Sequence, residues 1–198
     1  MYLSDKDIHD AVKAGDITLE PFDPKRLQPA TYDIRLGNTF IINDSHSTKV
    51  IDPGRGIYPK TRTIDVKDGE EFVLHPGVSI LGYSKEKFGS NSYLIEVNGK
   101  SSLARIGLIV HNSASIVNPG HFLHIALELC NLNNIPIVLR PGMEIAQLSF
   151  AQLSSVTKRN YEQTGRYHKN NFVGYVPPKG AEPSKKPAQK VTSSKKKI

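Results

Sequence analysis

Short apolar segments separated by polar turn residues make up most of this chain, and only its beginning has a helical pattern. Ser4 followed three residues later by Asp7 resembles a capping box. Ile8 and Val12 lie one helical turn apart, and Gly15 is placed to end the predicted helix. Further along, segments rich in β-forming residues predict strands at 32–36, 39–42, 71–74 and 78–83.

Turn signals recur between these segments. Pro-Gly pairs predict tight turns at 76–77, 119–120 and 141–142. Many short strands with frequent turns favour a mainly β fold, either a barrel or a sandwich.

The segment 122–131 has the most regular alternation in the chain. Its odd-numbered residues from 123 to 129 are all leucine or isoleucine, and in a strand they share one face. That face is predicted to lie in the core. Glu128 therefore projects from the opposite face, together with His124 and small residues.

Positive charge is concentrated at the C-terminal end. The chain carries a net charge of +7, and residues 177–198, with seven lysines and one glutamate, supply +6 of it. We predict one folded domain, residues 1–176, followed by a disordered basic tail, residues 177–198, whose Pro, Lys and Ser content cannot bury a core. The nearly neutral body argues against a specific nucleic-acid surface.

Targeting signals and cysteine content narrow the class of protein further. No apolar run approaches the roughly 20 residues that a membrane helix needs, and the charged N-terminus lacks the apolar segment of a signal peptide, so a cytoplasmic location without membrane contact is expected. Cys130 is the only cysteine. A zinc cage of the kind used by base deaminases, which needs several cysteines in one chain, is therefore excluded.

The segment GKSSLAR, from Gly99 to Arg105, is the first candidate for ligand binding. Ser101 and Ser102 are placed where a short helix begins, so backbone N–H groups and hydroxyls could bind an anion there. The Lys100 ammonium adds a further donor. The alternative is a capped turn with a solvent-facing lysine, and the spacing alone does not separate the two interpretations.

Glu128 is the second candidate. A carboxylate in mid-strand and off the core face is either a solvated surface residue or the base of a pocket, and the pattern alone favours the surface. His111 and His124 are weaker candidates, because a lone histidine is more often structural than a ligand.

Several ordered motifs resemble the dCTP deaminases of the dCTP deaminase/dUTPase family. The two central ones are GKSSLARIGL and VHNSASIVNPGHFLHIALELCN, at the spacing typical of that family. Upstream, residues 3–8 and QPATYDIRLG resemble its opening segments, and LRPGMEIAQLSF resembles its late strand pair. The resemblance covers about residues 1–175 and leaves out the basic tail.

The resemblance implies a distorted, mostly antiparallel β-barrel of the dUTPase-like (β-clip) type with a few short helices. It further implies a homotrimer whose active sites lie between subunits. The expected ligands are dCTP and dUTP, with dTTP as a feedback inhibitor. Mg²⁺ is expected only on the triphosphate, where it offsets charge, and no protein-bound metal or zinc is expected.

The same resemblance assigns catalytic roles. Glu128 aligns with the glutamate that takes a proton from a water attacking C4 of cytosine and then delivers protons to N3 and the leaving amine. Ser101 and the backbone carbonyl of Ala114 would hold that water. Arg105 would orient Glu128 and stabilise its charge.

Nucleotide binding by resemblance involves a larger set: Lys100, Ser101, Ser102, Arg105, Asn118, Tyr161, Arg166 and Asn170. Four of these depart from the family pattern. Lys100 replaces the usual arginine and loses its bidentate fork. Asn118 replaces an aspartate that contacts the sugar. Unlike that aspartate, the carboxamide of Asn118 cannot accept a proton. Arg166 and Asn170 stand where the C-terminal closing segment usually has lysine and glutamine.

The function expected from the sequence is hydrolytic, zinc-independent deamination of dCTP to dUTP and ammonia. Asn118 favours dUTP as the main product. The alternatives are a bifunctional enzyme that continues to dUMP and pyrophosphate, a plain dUTPase, an enzyme for a modified cytosine nucleotide, and a nucleotide sensor without turnover. Glu128 argues against the plain dUTPase.

Overall fold

The computed structural model describes residues 1–176. The predicted basic tail, residues 177–198, lies outside the described residues, so its disorder and the domain boundary at residue 176 remain predictions. No helix in residues 1–176 is long and apolar enough to cross a membrane.

The helix predicted at the N-terminus is confirmed. Helix α1 spans Asp5–Ala14, and the Ser4 side chain accepts a hydrogen bond from the backbone N–H of Asp7, as a capping residue does. Gly15 ends the helix in the left-handed conformation with φ of 83°. Two one-turn helices follow much later in the chain, α2 at Ser101–Ala104 and α3 at Tyr161–Thr164.

Thirteen strands account for most of the remaining regular secondary structure of residues 1–176. They are β1 Ile17–Glu20, β2 Leu27–Gln28, β3 Thr31–Arg35, β4 Thr39–Asn43, β5 Thr61–Asp65, β6 Phe72–Leu74, β7 Ser79–Ser90, β8 Tyr93–Gly99, β9 Leu108–Ile109, β10 Ile116–Val117, β11 Leu123–Asn131, β12 Ile137–Leu139 and β13 Glu144–Gln152.

The strands form two main antiparallel sheets that share one core. The first has the order β5-β4-β7-β11-β9, with β1 also paired to β7, and the second has the order β10-β8-β13-β3-β2. Strands β6 and β12 form a small separate sheet. The largest fully buried side chains come from both main sheets: Tyr32, Phe40, Phe88 and Phe150.

The mainly β, antiparallel architecture with few helices is therefore as predicted, but the predicted distorted barrel does not close. Within residues 1–176 the strand pairings give separate sheets rather than one ring. The ladders β11·β7 and β13·β3 each contain a register irregularity, of the kind that bends a strand locally. All three Pro-Gly pairs form turns, and each of their glycines has a positive φ.

Strand β7 corrects the sequence prediction most clearly. The apolar pattern predicted a strand at 78–83, whereas the strand continues to Ser90. The continuation contains Glu86, which is buried, and two lysines. It is held by pairing with β1 and β11 on its two edges, which the local pattern does not reveal.

Candidate active site

A cleft of about 320 Å³ opens on the outer face of the β7–β11 ladder. Its walls come from four parts of the chain: strand β7, the segment 114–121, strand β11 and the C-terminal segment 161–175. Three of the residues predicted for the site line it together: Glu128, Ala114 and Tyr161.

Glu128 lies where the alternation of β11 predicted. Leu127 and Leu129 are buried on the core face, while the half-buried Glu128 faces the cleft. One carboxylate oxygen of Glu128 accepts a hydrogen bond from the backbone N–H of Asn112 at 3.2 Å. That bond fixes the carboxylate relative to the segment that carries Ala114.

The C-terminal segment 161–176 is attached to the turn at Pro119-Gly120. The backbone N–H of Tyr161 donates to the carbonyl of Pro119 at 2.8 Å. Gly120 has φ of 85°, and a Cβ on it would lie 2.8 Å from the side chain of Asn160. Only glycine therefore lets the turn and the C-terminal segment approach this closely.

His121 lies next to this contact, between the turn and the C-terminal segment. Its ring stacks on Tyr161, with 4.3 Å between the ring centroids. Only 7% of the residue is exposed, and its Nε2 has no hydrogen-bond partner within the described chain. Burial, with a smaller repulsion from His168, lowers the pKa of His121 to about 4. The imidazole is therefore neutral at physiological pH.

This burial predicts a pH dependence of stability. Because the pKa of His121 is lower in the folded chain than in the unfolded chain, the unfolded chain binds more protons between pH 6.5 and about 4. The contribution of the neutral His121 to the free energy of unfolding is therefore fully present above pH 6.5. As the pH is lowered from 6.5 to about 4, the free energy of unfolding decreases by at most about 1.4 kcal/mol per pH unit. We expect His121→Gln to flatten this slope in urea titrations at several pH values.

The control for this prediction is His75→Gln, which changes an exposed histidine and should leave the slope unchanged. An unchanged slope in His121→Gln would show that other groups cause the loss of stability in acid.

The phosphate-motif side chains lie outside this cleft. Ser101, Ser102 and Arg105 are exposed, and their side chains make no hydrogen bond or ion pair to any part of residues 1–176. Arg105 thus makes no hydrogen bond or ion pair with Glu128 within the described part of one chain, so its role in orienting Glu128 stays a prediction. The short helix predicted at the two serines is present as α2.

Lys100 forms two ion pairs, so it is not the solvent-facing lysine of the alternative interpretation. Its Nζ lies 2.6 Å from a carboxylate oxygen of Asp33 and 2.8 Å from one of Glu144. Only 19% of the Lys100 side chain is exposed, so it does not face solvent, and its assignment to phosphate binding stays a prediction.

The other predicted binding residues lie near the cleft without lining it. Asn118 is exposed, and its carbonyl accepts from the N–H of His121 at 3.2 Å. Arg166 donates to the carbonyl of Val176 at 3.3 Å. The Asn170 side chain accepts from the N–H of Phe172 at 3.0 Å.

Two buried polar residues of the cleft were missed by the sequence reasoning. His121 and the buried Asn171 both line it. The position of His121 directly after the Pro119-Gly120 turn was the one available signal, since that turn carries a predicted binding residue on its other side. Nothing in the pattern distinguished Asn171 from its neighbour Asn170.

Comparisons with known proteins agree on one family. A family model described as dCTP deaminase-like matches residues 2–153. A protein of Clavibacter michiganensis subsp. michiganensis named "dCTP deaminase, dUMP-forming" is 43% identical over 171 residues, which is 84% of this chain and 85% of that protein. A protein of Tropheryma whipplei (strain Twist) with the same name is 45% identical over 162 residues, which is 81% of this chain and 83% of that protein.

A solved structure supports the fold. The 2'-deoxycytidine 5'-triphosphate deaminase from Agrobacterium tumefaciens matches with a TM-score of 0.57 and 22% identity, covering 75% of this chain. The match spans 46% of that longer chain. The family model and the sequence relatives each cover most of the chain, and on that basis this protein belongs to the dCTP deaminase-like family.

Proposed function

We propose that this protein deaminates dCTP and then hydrolyses the resulting dUTP to dUMP and pyrophosphate. The observation that carries the proposal is the position of Glu128 in a cleft of a chain whose relatives, 43% and 45% identical, are named "dCTP deaminase, dUMP-forming". These relatives favour dUMP over the dUTP expected from Asn118 alone.

The deamination step needs one carboxylate and one water. Glu128 takes a proton from the water as its oxygen attacks C4, and passes that proton to N3 of the cytosine ring. Glu128 then moves the proton of the hydroxyl group on C4 to the amine. The C4–N bond breaks, ammonia is released, and the base that remains is uracil. The carbonyl of Ala114 and the hydroxyl of Ser101 hold the water in this scheme. No zinc takes part, and Mg²⁺ enters with the triphosphate as part of the substrate.

The site is completed by a second copy of the chain in this proposal. Ser101, Ser102 and Arg105 are exposed and unengaged within residues 1–176, while the cleft with Glu128 has no cation among its lining residues. A homotrimer with active sites between subunits brings these two half-sites together. It brings the positive charge of Arg105 to a cleft whose lining, within residues 1–176, includes no lysine or arginine.

Asn118 bears on the second step. A carboxamide cannot accept the proton of the water that attacks the α-phosphate, whereas the aspartate usual at this position can. We therefore propose that hydrolysis of dUTP is the slower of the two steps. Asn118 keeps a hydrogen bond to the sugar in this scheme, so binding is retained.

Incubation of chelator-treated protein with dCTP and Mg²⁺ tests the function. We expect ammonia release, a transient rise of dUTP and final accumulation of dUMP and pyrophosphate, separated by ion exchange. Asn118→Asp should shorten or remove the dUTP transient, by on the order of 10²-fold in the hydrolytic rate if a positioned base is restored.

Each other result selects a different function. Stable dUTP would identify a monofunctional deaminase, and tight dCTP binding without ammonia would identify a sensor. Activity restored only by zinc would contradict the water-and-glutamate mechanism.

A further inference from the structure

We infer that Lys100 is a positioning residue that holds the phosphate motif in place, and that the triphosphate is bound by the side chains that follow it. The inference rests on the proposed function, because it concerns how the same nucleotide site is built. It departs from the role that the family resemblance suggests for Lys100.

The ion pairs of Lys100 join three neighbouring strands of the second sheet. Lys100 follows the end of β8, Asp33 lies on β3 and Glu144 begins β13, which runs between the other two strands. The Nζ–oxygen distances of 2.6 Å to Asp33 and 2.8 Å to Glu144 are those of charge-assisted hydrogen bonds. The Asp33 side chain is only 5% exposed and that of Lys100 only 19%.

The surrounding carboxylates offset the positive charges without a ligand. Arg26 donates to the second oxygen of Glu144 at 3.0 Å, and Gln28 donates to Asp33 at 3.2 Å. Burial alone would lower the pKa of Lys100, but its hydrogen bonds to the two carboxylates outweigh that effect and raise the pKa. Arg26 also lies 3.7 Å from a carboxylate oxygen of Asp23, so two cations face three carboxylates and no positive charge is left over for a phosphate.

A phosphate that drew Lys100 away would leave Asp33 as a buried carboxylate without its cation. Breaking a buried pair in this way is strongly unfavourable, because the remaining charge stays desolvated. Direct phosphate binding by Lys100 therefore works against the packing of the sheet. The exposed side chains of Ser101, Ser102 and Arg105 carry no such cost.

Lys100 is well placed to orient those side chains. Its backbone carbonyl accepts hydrogen bonds from the N–H groups of Leu103 at 3.0 Å and Ala104 at 2.9 Å, which start the turn of α2. Fixing the Lys100 side chain on the sheet thus fixes the turn that carries the two serines and Arg105. A misplacement of about 1 Å in such groups can reduce turnover by on the order of 10²-fold.

The variant Glu144→Gln distinguishes phosphate binding by Lys100 from positioning by Lys100, because the two roles predict opposite changes in the KM for Mg²⁺·dCTP. If Lys100 binds phosphate, neutralising Glu144 removes a competing anion, and the KM for Mg²⁺·dCTP falls. If Lys100 is a positioning residue, the anchor is weakened and KM rises, with an expected loss of about 10-fold in kcat/KM. Calorimetric binding of dCTP, measured with and without Glu144→Gln in the Glu128→Gln background, gives the same sign independently of turnover.

A double-mutant cycle that combines Glu144→Gln with Lys100→Met completes the test. We expect Lys100→Met and Glu144→Gln to change dCTP affinity in the same direction, and the double variant to be no worse than Lys100→Met alone, because both remove one anchor. Affinity for dCMP, which lacks the β- and γ-phosphates, should change little. Lys100→Arg keeps the ion pairs and should retain most of the activity.

Glu71→Gln is the matched control. Glu71 has the same exposed fraction as Glu144, 45%, and is also paired with an arginine, Arg140, but lies outside the motif, so its change should leave KM unaltered. An unchanged or lower KM in Glu144→Gln would overturn the inference. Absence of ammonia from the wild-type protein would instead overturn the proposed function, and the sign of the binding change would still decide the role of Lys100.

Discussion

Replacement of Glu128 by glutamine is expected to abolish the deamination of dCTP while nucleotide binding survives. Glutamine matches the shape of the side chain and can still accept the hydrogen bond from the N–H of Asn112, so the cleft should keep its geometry. An amide cannot carry protons from the water to N3 and the leaving amine. The loss of a positioned acid–base group typically costs ~10²–10⁴-fold in rate, measured here as ammonia release.

Two measurements make this result specific. Calorimetric binding of dCTP to Glu128→Gln should stay within a few-fold of the wild type, which shows that the site is folded. Glu20→Gln changes an exposed glutamate on β1 of the same sheet and should leave turnover unaltered. If Glu128→Gln released ammonia at the wild-type rate, another group would have to be the base.

Local rules were sufficient where one segment determines its own structure. Ser4 and Asp7 predicted the start of α1, and Gly15 predicted its end. Both predictions succeed because a cap acts within one turn of the helix. The alternation in β11 gave the face of Glu128, because successive side chains of a strand must point to opposite sides.

Local rules failed where distant segments determine the structure. The apolar pattern stops near Tyr83, yet β7 continues because its two edges pair with β1 and β11. In the same way, neither Asp33 nor Glu144 lies near Lys100 in sequence, so the local sequence could not predict their ion pairs with Lys100. The cleft itself depends on the docking of the C-terminal segment, which brought His121 and Asn171 into it.

The buried Glu86 on β7 leads to the prediction with the largest expected effect on stability. Its side chain is fully buried and accepts hydrogen bonds from the backbone N–H and the Nε of Arg35, at 2.7 and 2.6 Å. Glu86→Ala would leave the arginine without its partner. Breaking a buried pair from one side costs about 3–5 kcal/mol, so we expect a loss of this size in the free energy of unfolding, measured by urea titration.

Lys85→Ala provides the comparison, because Lys85 is the exposed neighbour of Glu86 on the same strand and surface changes usually stay within about 0.5 kcal/mol. The double variant Arg35→Met/Glu86→Leu separates the two contributions. Since an apolar pair of similar volume is often as stable as a buried ion pair, it should recover much of the stability lost in Glu86→Ala. A double variant that is less stable than Glu86→Ala would show that Arg35 also stabilises the fold through other contacts. A loss below about 1 kcal/mol in Glu86→Ala would show that water replaces the carboxylate, and that β7 does not depend on this pair.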